Sequence, residues 1–249
     1  MRIILLSDLH IAEYGMPIWD TDTTLHFDRA LQLIRKIPSV DAIFISGDIA
    51  DKGSIWSYEY VRQSLDRLKI HTYISPGNHD NIRIFKLYLK SEYCHCDSVF
   101  EINDWKFVFL NSVITNPEDD FSNMGRGNLS YQELELLKSE LSTPSNIGII
   151  LHHPPIEPDG WLNRKILENR VDFRNLIEQS NNVRCVLYGH THYNSIETIN
   201  NIQYICAPSL GFAFNKDLPK FQIDKGAEGF LIIDIDNQTL NCKRVLIDE

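Results

Sequence analysis

The chain has 249 residues, of which 43% are hydrophobic and 23% are charged. That is the composition of an ordinary globular protein, which excludes collagen-like and disordered chains, and the length allows one sizeable core. Its 24 Lys and Arg against 34 Asp and Glu give a formal net charge of −10. Proteins that coat nucleic-acid backbones are expected to be basic, so nucleic acid is an unlikely partner. A small anionic substrate is still compatible, because bound metal ions can invert the local field.

We expect a cytoplasmic protein that does not enter a membrane. Residues 1–8 contain too short an apolar run for a signal-peptide core. No stretch approaches the roughly 18 consecutive apolar residues of a spanning helix. The five cysteines form an odd, sparse set, which is typical of reduced thiols in the cytosol.

Short apolar runs that end abruptly at polar residues recur along the chain. They occupy residues 3–6, 42–45, 71–74, 147–151 and 183–188. Their length and composition predict strands that are buried on both faces. Sites in open α/β sheets form beyond the carboxyl ends of the strands. We therefore expect the five polar tips to converge at one edge.

Helical patterns fill the gaps between these runs. Apolar residues follow helical spacing over residues 27–37 and 54–68, and a capping box at Ser130 begins a third helix that reaches residue 141. The alternation of strand, polar tip and helix predicts a layered α/β fold.

The last part of the chain has a different pattern. Residues 203–207, 229–235 and 240–247 are typical of strands, and Asp236-Asn237 supplies a turn between the last two. We expect these two strands to form an antiparallel hairpin that closes a second sheet.

The polar tips carry seven side chains of the kinds that bind metals, namely Asp8, His10, Asp48, Asn78, His152, His190 and His192. Carboxylates, imidazoles and amide oxygens are hard or borderline ligands. Seven ligands exceed one zinc site and suit two metals roughly 3.5–4 Å apart that share one carboxylate.

The spacing within the tips supports convergence. One residue separates Asp8 from His10 and His190 from His192. In an extended segment the two side chains of such a pair face the same way. Glycines adjoin three tips and are expected to let the backbone turn sharply there, namely Gly47, Gly77 and Gly189.

Five blocks containing these residues resemble the signature blocks of calcineurin-like metallophosphoesterases, in the family's order. The blocks are Asp8-x-His10, Gly47-Asp48-x-x-Asp51, Gly77-Asn78-His79-Asp80, His152-His153-Pro154 and Gly189-His190-x-His192. The match covers nearly the whole chain. Within the superfamily the chain most resembles the class III cyclic-nucleotide phosphodiesterases, through features such as residues 109–112, 127–130 and 207–209.

The resemblance implies a four-layer αββα sandwich of two mixed β-sheets flanked by helices. It would form a single catalytic domain over residues 1–249, in which the strands from about residue 203 close the second sheet. The resemblance also assigns the metal ligands, with Asp48 bridging. The first metal would be held by Asp8, His10, Asp48 and His192, and the second by Asp48, Asn78, His152 and His190.

The same resemblance assigns the catalytic groups. His79 would contact the phosphoryl oxygen or the leaving group, and Asp80 would orient His79. A hydroxide shared by the two metals would attack phosphorus in line, so no nucleophilic Ser or Cys is assigned. The mixed oxygen and nitrogen ligand set suits two transition-metal ions, with Mn²⁺ first and Fe or Zn²⁺ as alternatives.

Other residues keep more than one interpretation. Asp51 is either a group that orients the ligands or the N-cap of the helix that follows. His153 adjoins a ligand but would point away from it, so it contacts the substrate or has a structural role. Trp161 follows a proline-rich loop and is a candidate for stacking on a nucleobase, whereas Trp19 is expected in the core or at its rim.

Three functions fit these observations. The first is a phosphodiesterase for a small diester, with 3′,5′-cyclic AMP favoured by the resemblance. The second is a glycerophosphodiesterase or a broad-specificity metallophosphatase. The third, of a different class, is a non-catalytic metal-binding regulatory module. The family resemblance also suggests a homodimer as the default assembly.

Overall fold

The computed structural model describes residues 1–114, 125–159, 162, 164–218 and 220–248. Over these residues the strands and α-helices follow one another as the sequence predicts, with further elements between them. In chain order they are β1 (Arg2–Leu6), α1 (Thr23–Ile34), β2 (Ala42–Ser46), α2 (Ile55–Asp66), β3 (Thr72–Ser75), α3 (Ile82–Leu89), β4 (Cys94–His95), β5 (Val99–Ile102), β6 (Trp105–Phe109), α4 (Tyr131–Leu141), β7 (Asn146–Ile150), α5 (Arg170–Glu178), β8 (Val183–Tyr188), β9 (Ser195–Ile199), β10 (Ile202–Cys206), β11 (Gly229–Asp236) and β12 (Thr239–Leu246).

These strands form two mixed sheets of six within the described residues. The first sheet has the order β12-β11-β1-β2-β3-β4, and the second has the order β5-β6-β7-β8-β10-β9. In the first, β1, β2 and β3 are parallel, and in the second β6, β7 and β8 are parallel. The carboxyl ends that carry the polar tips therefore lie at one end of each sheet.

Three apolar clusters separate four layers. The middle cluster joins the inner faces of the two sheets, where Phe44 from β2 meets Phe107 from β6 with ring centroids 4.8 Å apart. The second cluster lies between the first sheet and α1, α2 and α3. The third lies between the second sheet and α4 and α5. This arrangement confirms the predicted αββα sandwich.

Two of the helix starts show the expected capping chemistry. The side chain of Ser130 accepts a hydrogen bond from the backbone N–H of Glu133, as the capping box predicts. Ser54 does the same for the N–H of Ser57 at the start of α2. Because Ser54 is the N-cap of α2, Asp51 is not the N-cap. The other interpretation of Asp51, a group that orients the ligand residues, is the one that is left.

The C-terminal hairpin corrects one expectation. β11 and β12 pair antiparallel as predicted, but β11 also pairs antiparallel with β1. The hairpin thus completes the first sheet, while β10 lies in the second sheet beside β8. Turn and strand patterns specify that two strands form a hairpin, but they carry no information on which open sheet edge the hairpin joins. In the described part of the chain, none of the helices is both long enough and apolar enough to cross a membrane.

Candidate active site

The structure brings all seven ligand-type residues together where the two sheets meet. We call this set, residues 8, 10, 48, 78, 152, 190 and 192, the ligand edge. The two sheets are joined there directly, because the backbone N–H of His190 donates to Asp8 Oδ2 at 3.0 Å. On the same side, His192 Nε2 lies 3.3 Å from Asp8 Oδ1.

Four residues of the ligand edge form a first group, and all four are buried. His10 Nε2 lies 3.2 Å from His192 Nε2 and 3.5 Å from Asp48 Oδ2. Together with Asp8, these side chains offer ligand atoms that all lie within 4.8 Å of one another. The group has the composition of one transition-metal site, with two carboxylates and two imidazoles.

A second group adjoins the first through Asp48. His152 Nε2 lies 3.3 Å from Asp48 Oδ2, 3.2 Å from Asn78 Oδ1 and 3.1 Å from His190 Nδ1. Since Asp48 Oδ2 also faces His10, one carboxylate oxygen belongs to both groups. Asp48 therefore has the position of a shared carboxylate, and its binding of two metals stays a prediction.

The orientation of the imidazoles fits two cations. His152 Nδ1 donates to the carbonyl oxygen of Ser46 at 2.8 Å, and His192 Nδ1 donates to that of Phe212 at 2.7 Å. When one ring nitrogen donates in this way, the other nitrogen of a neutral imidazole carries a lone pair. His192 Nε2 faces His10 Nε2 at 3.2 Å, and His152 Nε2 faces Asp48 and Asn78. Each Nε2 is therefore directed toward other ligand atoms and can bind a cation once it carries no proton.

The electrostatics of the ligand edge also favour added positive charge. Burial alone would raise the pKa of Asp48, but His152 and His79 hold it well below its usual range. Burial lowers the pKa of His152, and the nearby Asp48 overcomes this and raises it to about 9. Burial and the neighbouring His152 lower the pKa of His190 to about 3, so its imidazole is neutral and available as a ligand.

The backbone of the ligand edge differs from the extended form that the residue spacing suggested. Five of the seven residues have left-handed φ values between 46° and 73°, namely Asp8, His10, Asp48, His190 and His192. The paired side chains converge because the loops turn at these residues, and not because of strand alternation. Left-handed non-glycine residues are uncommon and persist where the surroundings over-determine them, often at functional sites.

The glycines beside the ligand edge have two different roles. Gly47 adopts a φ of +98°, so it provides the expected sharp turn. At Gly77 a Cβ would lie 2.2 Å from Asp48 Oδ1, and at Gly189 it would lie 1.9 Å from Ser7 Oγ. The chain also turns just after the other two glycines, because the N–H of Asp80 donates to the carbonyl of Gly77 and that of Thr191 to the carbonyl of Gly189. Neither glycine has a positive φ, so these turns do not depend on the backbone freedom of glycine. Glycine is needed at positions 77 and 189 because Asp48 and Asp8, respectively, lie so close to the backbone there that a Cβ has no room.

His79 lies at the ligand edge and faces a cavity. Its backbone N–H donates to Asp48 Oδ1 at 2.9 Å, and its Nδ1 lies 2.8 Å from the carbonyl oxygen of Asp51. Burial opposes protonation of His79, but Asp48 and Asp51 outweigh it and raise its pKa. The Asp51 carboxylate also lies 3.5 Å from His10 Nδ1, which supports its interpretation as an orienting group.

Asp80 binds backbone groups of two loops. Its carboxylate accepts hydrogen bonds from the backbone N–H groups of Gly77, Ile49 and Ala50 and from the hydroxyl of Tyr58. Among the described residues it makes no hydrogen bond to His79, so any orientation of His79 by Asp80 acts through the loop backbone and stays a prediction. Burial, and then Asp48, raise the pKa of Asp80 to about 6. Asp80 fastens the two loops that carry Asp48 and His79.

The other two candidates for substrate contact have different outcomes. His153 is buried, with Nδ1 2.8 Å from Ser112 Oγ and its ring 4.9 Å from that of His190. It is not among the described residues that line the cavity. Its ring nitrogens form a group with those of His152 and His190 that could hold a metal ion, so contact with the substrate stays a prediction. Trp161 lies outside the described residues.

The cavity in front of the ligand edge has a volume of about 1000 Å³. Its lining includes His10, Asp48, Asn78, His79, His190 and His192. Four aromatic residues also line it, and we call them the aromatic wall, namely Trp19, Phe212, Phe214 and Phe221. Lys52 and Lys165 also line the cavity and add positive charge.

The aromatic wall was not predicted from the sequence. Trp19 was expected in the core or at its rim, and the three phenylalanines carried no expectation. The pattern Phe212-x-Phe214, just after the strand β10, could have indicated residues that point to one side of the site. Phe214 stacks on His192 with ring centroids 4.3 Å apart, so the wall is continuous with the ligand edge.

Comparison with known proteins agrees with this geometry. Residues 1–194 match the family model described as calcineurin-like phosphoesterase. The chain is 29% identical over 238 residues to a 3′,5′-cyclic-nucleotide phosphodiesterase of Nostoc sp., with 94% of this chain and 87% of the relative covered. It is 25% identical over 234 residues to a 3′,5′-cyclic adenosine monophosphate phosphodiesterase of Pseudomonas aeruginosa, with coverages of 92% and 83%.

A solved structure shows the same fold. A dimetal phosphatase from Danio rerio superposes with a TM-score of 0.71 at 15% identity, and the match covers 98% of this chain and 95% of that one. The family match and the His and Asp groups of the ligand edge together indicate two metal ions. The chain therefore belongs to the calcineurin-like phosphoesterase family and is a metal-dependent phosphoric ester hydrolase.

Proposed function

We propose that this protein is a phosphodiesterase that hydrolyses 3′,5′-cyclic nucleotides, with 3′,5′-cyclic AMP as its preferred substrate. The observation that carries the proposal is the shared position of Asp48 between two ligand groups at the floor of a cavity of about 1000 Å³. A volume of this size accommodates a small-molecule ligand. The names of the relatives from Nostoc and Pseudomonas support a cyclic nucleotide as that ligand.

In this proposal the ligand edge holds two ions. Asp8, His10, Asp48 and His192 hold one, and Asp48, Asn78, His152 and His190 hold the other. When bound, two such ions polarise the phosphoryl group and make hydroxide accessible near neutral pH. The donors are carboxylates, imidazoles and an amide oxygen without a thiolate, which suits Mn²⁺ best and also Fe or Zn²⁺.

His79 has the position of a proton donor. Its backbone N–H donates to Asp48, and its ring Nδ1 contacts the carbonyl oxygen of Asp51. These two contacts hold the ring beside the cavity. From there it can donate to a non-bridging phosphoryl oxygen or to the leaving alkoxide, which is the role of a general acid. Lys52 and Lys165 would help to attract the anionic ester.

A comparative assay tests the proposal. The Mn²⁺-loaded protein is given 3′,5′-cyclic AMP, 2′,3′-cyclic AMP, glycerophosphodiesters, bis-p-nitrophenyl phosphate and the monoester p-nitrophenyl phosphate. We expect the highest kcat/KM for the 3′,5′-cyclic nucleotide. Cleavage of the monoester or of the glycerophosphodiesters without cleavage of 3′,5′-cyclic AMP would instead establish a broad phosphatase or a glycerophosphodiesterase. Metal binding without turnover of any ester would indicate a regulatory module.

A further inference from the structure

A tight turn holds Trp19 in an unusual backbone conformation. Ile18 and Thr21 exchange both of their backbone hydrogen bonds, each at 2.9 Å, so residues 19 and 20 form a two-residue hairpin loop. Trp19 has a φ of 46° and Asp20 a φ of 60°. Positive φ at both central residues is the signature of a type I′ turn, where Asn, Asp and Gly are favoured.

Asp20 suits this turn, but Trp19 does not. A bulky residue with a positive φ is an outlier, and such outliers persist where the surroundings enforce them, often at ligand sites. The side chain of Trp19 is also poorly protected, since 53% of the residue is exposed. Neither backbone preference nor burial therefore explains a tryptophan at this position.

Trp19 stands at the outer end of the aromatic wall. Phe212 lies between the ligand edge and Trp19, with its ring centroid 4.7 Å from that of His10 and 4.8 Å from that of Trp19. Phe221 contacts Trp19 edge to face at 4.7 Å and is itself 42% exposed. The ring of Phe212 thus contacts His10 on one side and Trp19 on the other. An ester whose phosphoryl group lies at the ligand edge could reach Trp19 by extending past this one ring.

We propose that Trp19 is a specificity-determining residue that stacks on the nucleobase of the substrate, and that the aromatic wall forms a base subsite. The inference rests on the proposed function, because it assumes an ester whose phosphate lies at the ligand edge. Every nucleobase has a planar π-face, and stacking on an aromatic side chain recognises it without a defined set of hydrogen bonds. A diester without a planar ring would leave the aromatic wall exposed to water.

Binding of two phosphate esters tests the inference separately from catalysis. The Mn²⁺-loaded protein is titrated by calorimetry with AMP and with ribose 5-phosphate, which has the same ribose and phosphate but no base. We expect the wild type to bind AMP about 5- to 100-fold more tightly, the range that base–aromatic stacking supplies. In Trp19→Asn this ratio falls towards one, and in Trp19→Phe it is intermediate.

Asparagine is chosen because it tolerates a positive φ and suits the turn, so backbone strain is not increased. The matched control is Tyr14→Asn, which changes another exposed aromatic residue with a φ of 54° that is not among the described residues of the cavity. The control should keep the wild-type ratio.

Two results would overturn the inference. One is a wild-type ratio near one, and the other is an unchanged ratio in Trp19→Asn. If the ratio is unchanged because both ligands weaken equally, Trp19 has a merely structural role. The titration uses no turnover, so it can fail while 3′,5′-cyclic AMP is hydrolysed. It can also succeed if the comparative assay finds a different nucleotide ester.

Discussion

The ligand edge and the aromatic wall face the same cavity but are built in different ways. At the ligand edge the imidazoles His152 and His192 are each anchored through the ring nitrogen that faces away, and Asp48 accepts the backbone N–H of His79. The aromatic wall combines the buried Phe212 and Phe214 with the half-exposed Trp19 and Phe221.

The difference indicates a division of labour. Groups that hold ions must be placed within tenths of an ångström, so their rotamers are locked by hydrogen bonds and by close packing against glycines. Groups that recognise a flat ring need an area and a plane, and they tolerate exposure. We therefore expect substitutions at the ligand edge to change metal content and rate, and substitutions in the wall to change substrate preference.

The largest effect is expected at the residue that both ligand groups share. Asp48→Asn removes the buried charge that both ions would contact, so we expect both metals to be lost and activity to fall by about 10³-fold or more. Metal content by mass spectrometry and turnover of bis-p-nitrophenyl phosphate measure this. Glu135→Gln, on the exposed side of α4, is the control for loss of one negative charge. Retention of both metals in Asp48→Asn would refute the shared position.

The second prediction separates rate from metal binding within the cavity. His79→Ala should keep two metals per chain but lose about 10²–10⁴-fold in kcat, the contribution of a general acid. The exposed His71→Ala provides the control, and it should match the wild type. Unchanged turnover in His79→Ala would remove His79 from the chemistry, and loss of metal would make it part of the metal centre.

The third prediction disturbs the ligand edge without touching a ligand. In Gly189→Ala the new Cβ would meet Ser7 Oγ and lie 2.7 Å from Asp8 Oδ2. We expect displacement of Asp8, a loss of about 1–3 kcal/mol in the free energy of unfolding and about 10–100-fold weaker metal binding. Gly226→Ala, at a φ of +85° and with nothing within 4 Å of the new Cβ, shows the effect of backbone strain without a steric clash and should leave metal binding unchanged. Equal behaviour of the two variants would contradict the packing role of Gly189.

The smallest effect should discriminate between the two ligand groups. The Asp51 carboxylate lies 3.5 Å from His10 Nδ1. Of the two ligand groups described above, the first contains His10 and the second does not. Asp51→Asn should weaken one metal by about 10-fold, as expected for a group that orients a ligand, and leave the other nearly unchanged. Stepwise Mn²⁺ titration would show this, and an equal change in both affinities would argue against the grouping.

Much of the ligand edge could be predicted from the sequence. Each ligand-type residue follows a short apolar run, and the parallel strands β1, β2 and β3 bring three of these tips to one end of a sheet. The backbone at the tips could not be predicted in the same way. The left-handed φ of Asp8 and the close approach of Gly77 to Asp48 depend on contacts between loops that are distant in sequence.

The aromatic wall was harder to predict for the same reason. Trp19 and Phe212 come from loops almost two hundred residues apart, and neither belongs to a short motif. The position of Asp80 likewise depends on tertiary contacts. Although Asp80 follows His79 in the chain, its carboxylate accepts hydrogen bonds from the backbone N–H groups of Ile49 and Ala50. Local patterns located the groups that would bind metal and did not identify the surface that would select the substrate.

Anomalous diffraction from Mn²⁺-loaded crystals tests most directly whether two ions share Asp48. We expect two anomalous peaks about 3.5–4 Å apart. One should lie among Asp8, His10 and His192 and the other among Asn78, His152 and His190, with Asp48 contacting both. A single peak, or two peaks of which only one contacts Asp48, would show that Asp48 does not join two ions.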